Sequence, residues 1–377
     1  MLAIGSVGAF HPYLAVILDR RGASGQALAW SLALFPIGLL LCGPVWGYWA
    51  DRSPTPQRVL GTALTVAAVG AAATLVGGPW WAILPGMVLL ACTRSPAIAV
   101  GDVLMVRLLG GGRTGESAYG GVRKWGSVAF IGIVFAVGSL MDRWLLAPLA
   151  VHAVILGALA VLTWRLPAPP PGVIEQTGPS TSVLSLLRSG PLMRVYAIGV
   201  LHIGANSLYD NLFAHHVTGL GLSGVVAGSA ISLGVAAEVA VLASGGWLLQ
   251  RVSPKTLLIV AVLAGIPRWY LTGTVTSPAL LIAVQALHGL TFGCWWLGGI
   301  AFVLRTAPPA LRSTAQAAFV ASGFGLGNLI ALAAASWALP NLGSARMFTA
   351  LTAVSLLASV LLPWALSRRS SRSSDLA

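Results

Sequence analysis

Twelve apolar segments of membrane-spanning length follow one another along this 377-residue chain. A bilayer core about 30 Å thick requires roughly 20 apolar residues in a helix, and each segment approaches that length. The composition agrees, because 57% of the residues are hydrophobic, 8% are charged and the mean hydropathy is +0.87. The pattern predicts an all-α membrane protein with twelve transmembrane helices, at residues 2–18, 27–50, 57–77, 80–106, 118–141, 145–165, 193–217, 224–249, 255–274, 278–305, 313–337 and 345–366.

The basic residues are distributed unevenly between the two sides of the predicted membrane. Of the 22 Lys and Arg residues, 14 lie at or beyond the helix ends on one side, whereas the other side has four, Arg20, Arg21, Arg143 and Arg346. Because cytoplasmic loops are enriched in Lys and Arg, we predict a multi-pass protein of the cell inner membrane with both termini in the cytoplasm. Anionic lipid headgroups explain the net charge of +13, so no nucleic-acid partner is required. The first segment has no basic start and no cleavage site, which indicates a retained helix.

A stretch rich in proline and polar residues, PAPPPGVIEQTGPSTS at 167–182, separates the sixth and seventh helices. This composition is typical of a linker. We therefore predict four parts in the chain: an N-terminal six-helix bundle at 1–166, a cytoplasmic linker at 167–192, a C-terminal six-helix bundle at 193–366 and a cytoplasmic tail at 367–377.

Short sequence matches relate the two halves at an offset of 199 residues. GASG at 22–25 recurs as GLSG at 221–224, and Gly47 with Arg52 in GYWADR recurs as Gly246 with Arg251 in GWLLQR. Both matches fall at equivalent helix boundaries. Duplicated helical halves around a site near the bilayer midplane are typical of secondary transporters.

The loop between the second and third helices, GPVWGYWADRSPTPQR at 43–58, resembles the G-x-x-x-D-R/K signature of the major facilitator superfamily. The resemblance implies two pseudo-symmetric six-helix bundles and a gate at this loop. Gly47 would let two helices approach closely, Asp51 would cap a helix or pair across the cytoplasmic gate, and Arg52 would supply the counter-charge. The alternative is an ordinary turn whose charges are solvated.

YGGVRKWGSVAF at 119–130 closely resembles the start of the fifth helix in the 3-phenylpropionate permease family, a relative of the proton-coupled lactose and nucleoside permeases. Four other segments are similar to that family's first, eighth, ninth and tenth helices: FHPYL at 10–14, GVAAEVAVL at 234–242, GIPRWYL at 265–271 and QALHGLTFG at 285–293. In lactose permease, the arginine that matches Arg123 binds substrate together with an acid on the fourth helix. The matching position here falls near Ala99, which leaves Asp102 as the available acid.

Acidic and basic residues nearly balance within the predicted helices, with Asp102, Asp210 and Glu238 against Arg94, Arg123, Lys124 and Arg268. Charges in hydrocarbon are costly, so we expect mutual pairing across a central cavity, with Arg268 in a structural charge pair. Arg123 is suited to bind a substrate carboxylate with both arms of its guanidinium. The alternative for Arg123 is that it neutralises Asp102, whereas Lys124 is expected to reach the headgroups.

Three residues are candidates for proton coupling. Glu238 lies in the middle of an apolar helix, where a carboxyl group could load and unload protons, or form a permanent salt bridge to Arg268 or Arg123. Asp210 belongs to a polar stripe on the seventh helix, where interhelical bonding is an equal alternative. His288 can titrate near neutral pH or bond across helices.

Further candidates for substrate contact are Asn206 and Tyr209, in the same polar stripe as Asp210, and the neighbouring Trp295 and Trp296. The two tryptophans could form an aromatic wall for a flat substrate, although facing lipid is the commoner role of tryptophan in membrane helices.

These features together predict a secondary active transporter in which two bundles rock around a midplane site and carry a small aromatic acid by proton symport. We expect small-molecule substrate, protons and lipid as partners, a monomeric protein, no cofactor and no metal, because His and Cys do not occur at ligand spacing. Enzymatic activity is not indicated. The alternatives are an exporter, a carrier of sugar, nucleoside or lipid-like cargo, and a non-transporting receptor on the same fold.

Overall fold

The computed structural model describes residues 2–94, 96–109, 112–167, 188–308 and 311–366. Within these ranges the backbone is almost entirely helical, and no residue in them belongs to a strand. A chain that crosses hydrocarbon finds no water for its peptide groups, so each crossing segment must satisfy its own hydrogen bonds in a helix. The all-α prediction is confirmed.

The first half contains six helical crossings, two of which are interrupted at prolines. Pro12 lies in a 3-10 turn between α1 and α2, and the break between α5 and α6 immediately precedes Pro96. Proline lacks an amide proton and disfavours helix in the residue before it. The helices are α1 (Leu2–Phe10), α2 (Leu14–Arg20), α3 (Gly25–Arg52), α4 (Pro56–Ala73), α5 (Leu84–Thr93), α6 (Pro96–Leu108), α7 (Gly112–Met141) and α8 (Ala147–Trp164).

The second half repeats this plan with π-helical turns in two of its crossings, at Gly289–Cys294 and Ala321–Gly327. Its helices are α9 (Gly190–Gly219), α10 (Gly224–Ala243), α11 (Gly245–Arg251), α12 (Pro254–Thr274), α13 (Pro278–Val284), α14 (Trp295–Thr306), α15 (Arg312–Val320) and α16 (Asn328–Leu366). Gly343 divides α16 into two crossings, because its φ of 76° and ψ of 166° are not helical.

Among the described residues, seven helical segments are long and apolar enough to cross a membrane by length and composition. They are Leu2–Arg20, Gly25–Ala50, Ala147–Trp164, Gly224–Ala243, Pro254–Thr274, Pro278–Thr306 and Ala315–Pro363, the last of which contains the kink at Gly343. The helices α4, α5 with α6, α7 and α9 occupy the positions of the other predicted crossings. Residues 168–187 and 367–377, which contain most of the predicted linker and the tail, lie outside the described residues. The proposed domain boundaries therefore stay predictions.

Equivalent positions in the two halves have the same local structure. Gly22 and Gly221 have φ angles of 91° and 78°, and each precedes a helix that begins three residues later, at Gly25 and Gly224. A positive φ is a conformation that glycine adopts without strain. At the other end of these crossings, the Arg52 guanidinium carbon lies 3.7 Å from the Tyr48 ring centroid, and that of Arg251 lies 4.5 Å from the centroid of Trp247. The 199-residue offset thus relates structure as well as sequence.

The two halves pack directly on each other through α7 and α10, which run antiparallel. Gly224, Gly228 and Ser232 recur every four residues along α10 and face α7. The Gly224 N–H donates to Oδ1 of Asp142 at 2.7 Å, and the Ser232 hydroxyl donates to the Ile131 carbonyl at 3.2 Å. Small residues in such a row let two helix backbones approach closely.

Further contacts between the halves occur at the same end of the molecule. His215 Nε2 lies 3.6 Å from Asp19 Oδ1, and a Cβ atom built on Gly25 would lie 3.3 Å from the Pro340 ring. One cluster of buried apolar residues crosses from half to half here, whereas the opposite end of the second half has a separate cluster drawn from residues 192–366. We call the region formed by residues 19–25, 138–142 and 215–224 the sealed end.

Candidate functional site

A cavity of about 220 Å³ lies between the two halves. The first half contributes side chains from α1, the turn after it and α7, and the second half contributes side chains from α9, α10, the tenth crossing and the eleventh. The polar and aromatic residues that line the cavity are His11, Ser127, Phe130, Tyr209, Asp210, Glu238, His288, Phe292 and Phe324. A mostly apolar chamber with a few converging polar groups is typical of a small-molecule site.

Glu238 and His288 form a pair across two helices at the wall of this cavity. His288 Nε2 lies 3.4 Å from Glu238 Oε2, and the imidazole stacks on Phe292 with ring centroids 5.2 Å apart. His288 is nearly buried, whereas one fifth of the Glu238 side chain is accessible. Glu238 therefore has histidine as its partner, and neither Arg268 nor any other described arginine lies within salt-bridge distance of it.

Asp210 joins this pair as a second carboxylate in the same chamber. Among the described residues, no basic side chain lies within 4.0 Å of its carboxylate oxygens. Its neighbour Tyr209 also lines the cavity, and the Tyr209 ring lies 5.6 Å from the ring of His288. The structure thus brings together four residues that the sequence selected: Tyr209, Asp210, Glu238 and His288.

Arg268 is fully buried behind Tyr209, outside the cavity lining. Its Nη1 donates to Asn206 Oδ1 at 2.8 Å and to Thr291 Oγ1 at 2.7 Å, and its guanidinium carbon lies 4.3 Å from the Tyr209 ring centroid. Gln285 Oε1 accepts from Nε and Nη2 at 3.4 Å. These partners are neutral, and no described carboxylate lies within 4.0 Å of the guanidinium. The expected charge-pairing role of Arg268 stays a prediction.

The π-helical turn Gly289–Cys294 helps to assemble this network. π-helical turns insert an extra residue into a helix and are frequent at functional sites. Thr291 lies in the turn, where its hydroxyl accepts from Arg268 and its carbonyl bonds to His202 Nε2 at 2.7 Å. The turn follows His288 directly, so the same segment carries both the histidine that faces the cavity and the threonine that holds Arg268.

Four of the predicted substrate contacts lie outside the cavity lining. Asn206 is buried against Arg268, and Trp295 is buried against His202, with ring centroids 4.7 Å apart. Trp296 stacks on Phe292 at 6.2 Å and meets Phe324 edge-on at 5.9 Å, so it lies behind two rings of the cavity lining. Asp102 is partly buried on α6. Direct substrate contact by these four residues stays a prediction.

The remaining predictions concern residues that the structure describes only in part. The side chains of Arg123, Lys124 and Asp51 lie outside the described part of the structure. No described atom lies within 4 Å of a Cβ atom built on Gly47. The close helix approach expected there stays a prediction. Arg52 is exposed over Tyr48, and its gating role stays a prediction.

Sequence reasoning did not select His11, which lines the cavity from the first half. The signal was present, because His11 is a polar residue inside an apolar crossing and precedes a proline that interrupts the helix. A histidine in a membrane-spanning segment is a functional candidate by default.

Comparisons with known proteins agree with this architecture. The chain matches the MFS_1 like family over residues 1–349. It is 30% identical over 329 residues to the maltose permease of Geobacillus stearothermophilus, which covers 85% of this chain and 81% of that protein. It is 33% identical over 215 residues to a probable 3-phenylpropionic acid transporter of Escherichia coli (strain K12), which covers 54% of this chain and 55% of that protein.

A crystal structure of the nucleoside transporter NupG has the same fold, with a TM-score of 0.82 and 16% identity over 98% of this chain and 97% of that chain. The relatives are permeases and transporters rather than enzymes. The predicted superfamily, and the predicted similarity to phenylpropionate and nucleoside permeases, are confirmed. The chain is therefore a multi-pass membrane transporter of the major facilitator type and belongs to the MFS_1 like family.

Proposed function

We propose that this transporter is a monomeric proton symporter that carries a small organic acid by alternating access. The observation that supports the proposal is the convergence of Asp210, Glu238 and His288 on one cavity between the halves. A carboxylate and an imidazole 3.4 Å apart can share one proton, and Asp210 offers a second site for it in the same chamber. Carboxylates retained inside a membrane commonly serve as proton relays.

In the proposed cycle, the two halves are first separated at the end that we call the sealed end. We assign this end to the outside because it carries few Lys and Arg residues. The Glu238 and His288 pair, or Asp210, takes a proton, and the acid enters the cavity with its carboxylate toward Arg123. Closure of the sealed end then exposes the cavity to the cytoplasm. Contacts between the halves that lie at the sealed end support an inward-facing arrangement here.

A second candidate cargo is a neutral molecule rich in hydroxyl groups, such as a sugar or nucleoside. The observation in its favour is that the described lining contains two carboxylates and no Arg or Lys side chain. Carboxylates accept hydrogen bonds from hydroxyl donors. The relatives named for maltose and nucleosides make this cargo class the natural comparison.

The test is uptake into proteoliposomes with an imposed pH gradient, using 3-phenylpropionate, maltose and uridine as probes. We expect gradient-driven accumulation of the acid, loss of accumulation in Glu238→Gln, and weaker acid uptake in Arg123→Ala. Ser244→Ala is the control, because this exposed hydroxyl, one residue beyond α10, bonds only to the carbonyl of Ala240. Proton symport would be disproved if uptake did not depend on the pH gradient and Glu238→Gln were as active as the parent protein. Uptake of maltose or uridine alone would replace the acid by neutral cargo.

A further inference from the structure

Three basic residues of the first half, Arg94, His11 and His152, each have a buried polar atom without a hydrogen-bond partner among the described residues. These atoms are Nη1 of Arg94, Nδ1 of His11 and Nε2 of His152. His152 is anchored at its other nitrogen, because Nδ1 lies 2.9 Å from the carbonyl oxygen of Ser6. Buried polar groups normally have partners, so these three atoms remain available for a hydrogen bond to a bound group.

The three residues surround a pair of aromatic rings. The Arg94 guanidinium carbon lies 5.6 Å from the Phe35 ring centroid, and the His11 ring meets Phe35 edge-on at 6.4 Å. Phe10 lies 5.3 Å from Phe35 and stacks on His152 at 4.6 Å. Arg94 and His11 therefore approach the same ring, and His152 is connected to that ring through Phe10. Of the three, His11 lines the cavity, whereas Arg94 and His152 lie outside the lining, so the group borders the substrate space through His11.

Arg94 differs from Arg268 in the use of its donors. The Arg268 guanidinium donates four hydrogen bonds to three neutral side chains, whereas the Arg94 guanidinium makes none within the described ranges. No described carboxylate lies within 4.0 Å of Arg94 either. A guanidinium keeps its charge at any working pH, and a spare donor on it at membrane depth is costly. An anion that accepts from that donor removes the cost.

The cavity is consequently polarised between the two halves. Its acidic groups, Asp210 and Glu238, belong to the second half together with His288, whereas the first half contributes His11, which shares the Phe35 ring with Arg94. An organic acid in this chamber is repelled by the second half and attracted by the first. The opposite orientation would place its carboxylate against two others at high cost.

We infer that Arg94 and His11 form a carboxylate-binding subsite at the first-half end of the cavity. His152 supports it from behind, and Phe130 and Phe292 lie beside the remainder of the substrate. This inference rests on the proposed acid cargo. It adds Arg94 to the proposed Arg123 as a second contact of the substrate carboxylate and leaves the proton to Glu238, His288 and Asp210.

The test compares an acid with its uncharged isostere. Equilibrium binding of 3-phenylpropionate and of 3-phenylpropionamide is measured on purified parent, Arg94→Gln, Arg94→Lys and Arg58→Gln proteins. Hydrogen bonds to a charged group are strong, so we expect Arg94→Gln to weaken binding of the acid about 10- to 100-fold and binding of the amide less than about threefold. Arg94→Lys should retain part of the acid affinity. Arg58 is an exposed residue of α4 and serves as the matched control.

Equal weakening of acid and amide, or no change in either, would overturn the subsite. If Arg94→Gln does not yield folded protein, Arg94→Lys with His11→Asn provides the same comparison. The two proposals fail differently. If acid binding depends on Arg94 but uptake does not respond to the gradient, the subsite is retained and symport is refuted. If gradient-driven acid uptake is unchanged in Arg94→Gln, symport is retained and the subsite is refuted. A parent that binds no acid refutes both.

Discussion

Arg268 on α12 donates a 2.8 Å hydrogen bond to the side-chain oxygen of Asn206 on α9, so a fully buried cation joins two helices through a neutral acceptor. Thr291 and Gln285 complete the arrangement from the tenth crossing. The guanidinium therefore acts as a structural crosslink within the second half. This role differs from that of a group that exchanges partners during transport.

We predict that Arg268→Gln destabilises the protein by about 2–3 kcal/mol, because three buried oxygens lose a charged donor. In detergent micelles the apparent melting temperature should fall by roughly 5 °C. Arg305→Gln changes an exposed arginine on α14 and should melt within about 1 °C of the parent. An Arg268→Gln protein that melts together with the parent would refute the crosslink.

We predict that His288→Asn separates proton coupling from substrate exchange. Asparagine retains a hydrogen-bonding side chain next to Glu238 but cannot carry the proton. Gradient-driven accumulation should fall by about tenfold or more, which is typical for loss of a positioned proton-transfer group. Counterflow of labelled against unlabelled substrate in the same vesicles should remain. Equal loss of both activities would indicate that His288 serves binding or folding instead.

We predict that Gly138→Val opens the sealed end. A Cβ atom at Gly138 would lie 2.5 Å from the Gly224 carbonyl oxygen, so a branched side chain disfavours the closed arrangement by about 1–3 kcal/mol. Ser127→Cys, in a background without Cys42, Cys92 and Cys294, places a thiol in the cavity. When an impermeant reagent is added on the side of the sealed end, this thiol should be labelled roughly 5- to 100-fold faster in Gly138→Val than in the protein that retains Gly138.

The matched control for this experiment is Gly132→Val on the same helix. Gly132 is exposed, and no described atom lies within 4 Å of a Cβ atom built on it. Its labelling rate should equal that of the parent. Unchanged labelling in Gly138→Val would show that α7 and α10 do not form the barrier.

We predict that Gly343→Ala lowers stability by about 1–2 kcal/mol, because a φ of 76° is unfavourable for a residue with a Cβ atom. Neither Gly343 nor Gly219 has a described atom within 4 Å of its Cβ position, but Gly219 does not have a positive φ. Gly219→Ala should therefore be neutral or slightly stabilising. Thermal unfolding of the two variants measures the cost of the positive φ at Gly343, because the added methyl group meets no described atom at either position.

The sequence was sufficient to predict the crossings, because hydrocarbon permits few structures for a long apolar segment. GASG and GLSG mark equivalent turns, whereas the single helix predicted at 80–106 did not include the break before Pro96. The helix boundaries at Gly25 and Gly224 fall within three residues of expectation. These features depend on local chemistry and on length, both of which a sequence contains directly.

The partners inside the bundle could not be predicted in the same way. Glu238 meets His288 from another helix, and Arg268 meets Asn206, Thr291 and Gln285, which lie 62, 23 and 17 residues away on other crossings. A helix fixes which residues share its face, but the rotation of one helix against another depends on the packing of all of them. Reasoning from charge balance favoured acids as the partners of Arg268, whereas the described structure supplies neutral oxygens.

The row formed by Gly224, Gly228 and Ser232 has a mechanical consequence. These residues meet α7 largely through main-chain atoms, at Gly138, Val134 and Ile131, so the fit repeats with the peptide spacing of the helix. If α10 moved slightly along α7, the hydrogen bond of Gly224 to Asp142 and that of Ser232 to Ile131 would be lost together. Separation of the bundles should thus occur as a discrete step, with no stable half-open position along the way.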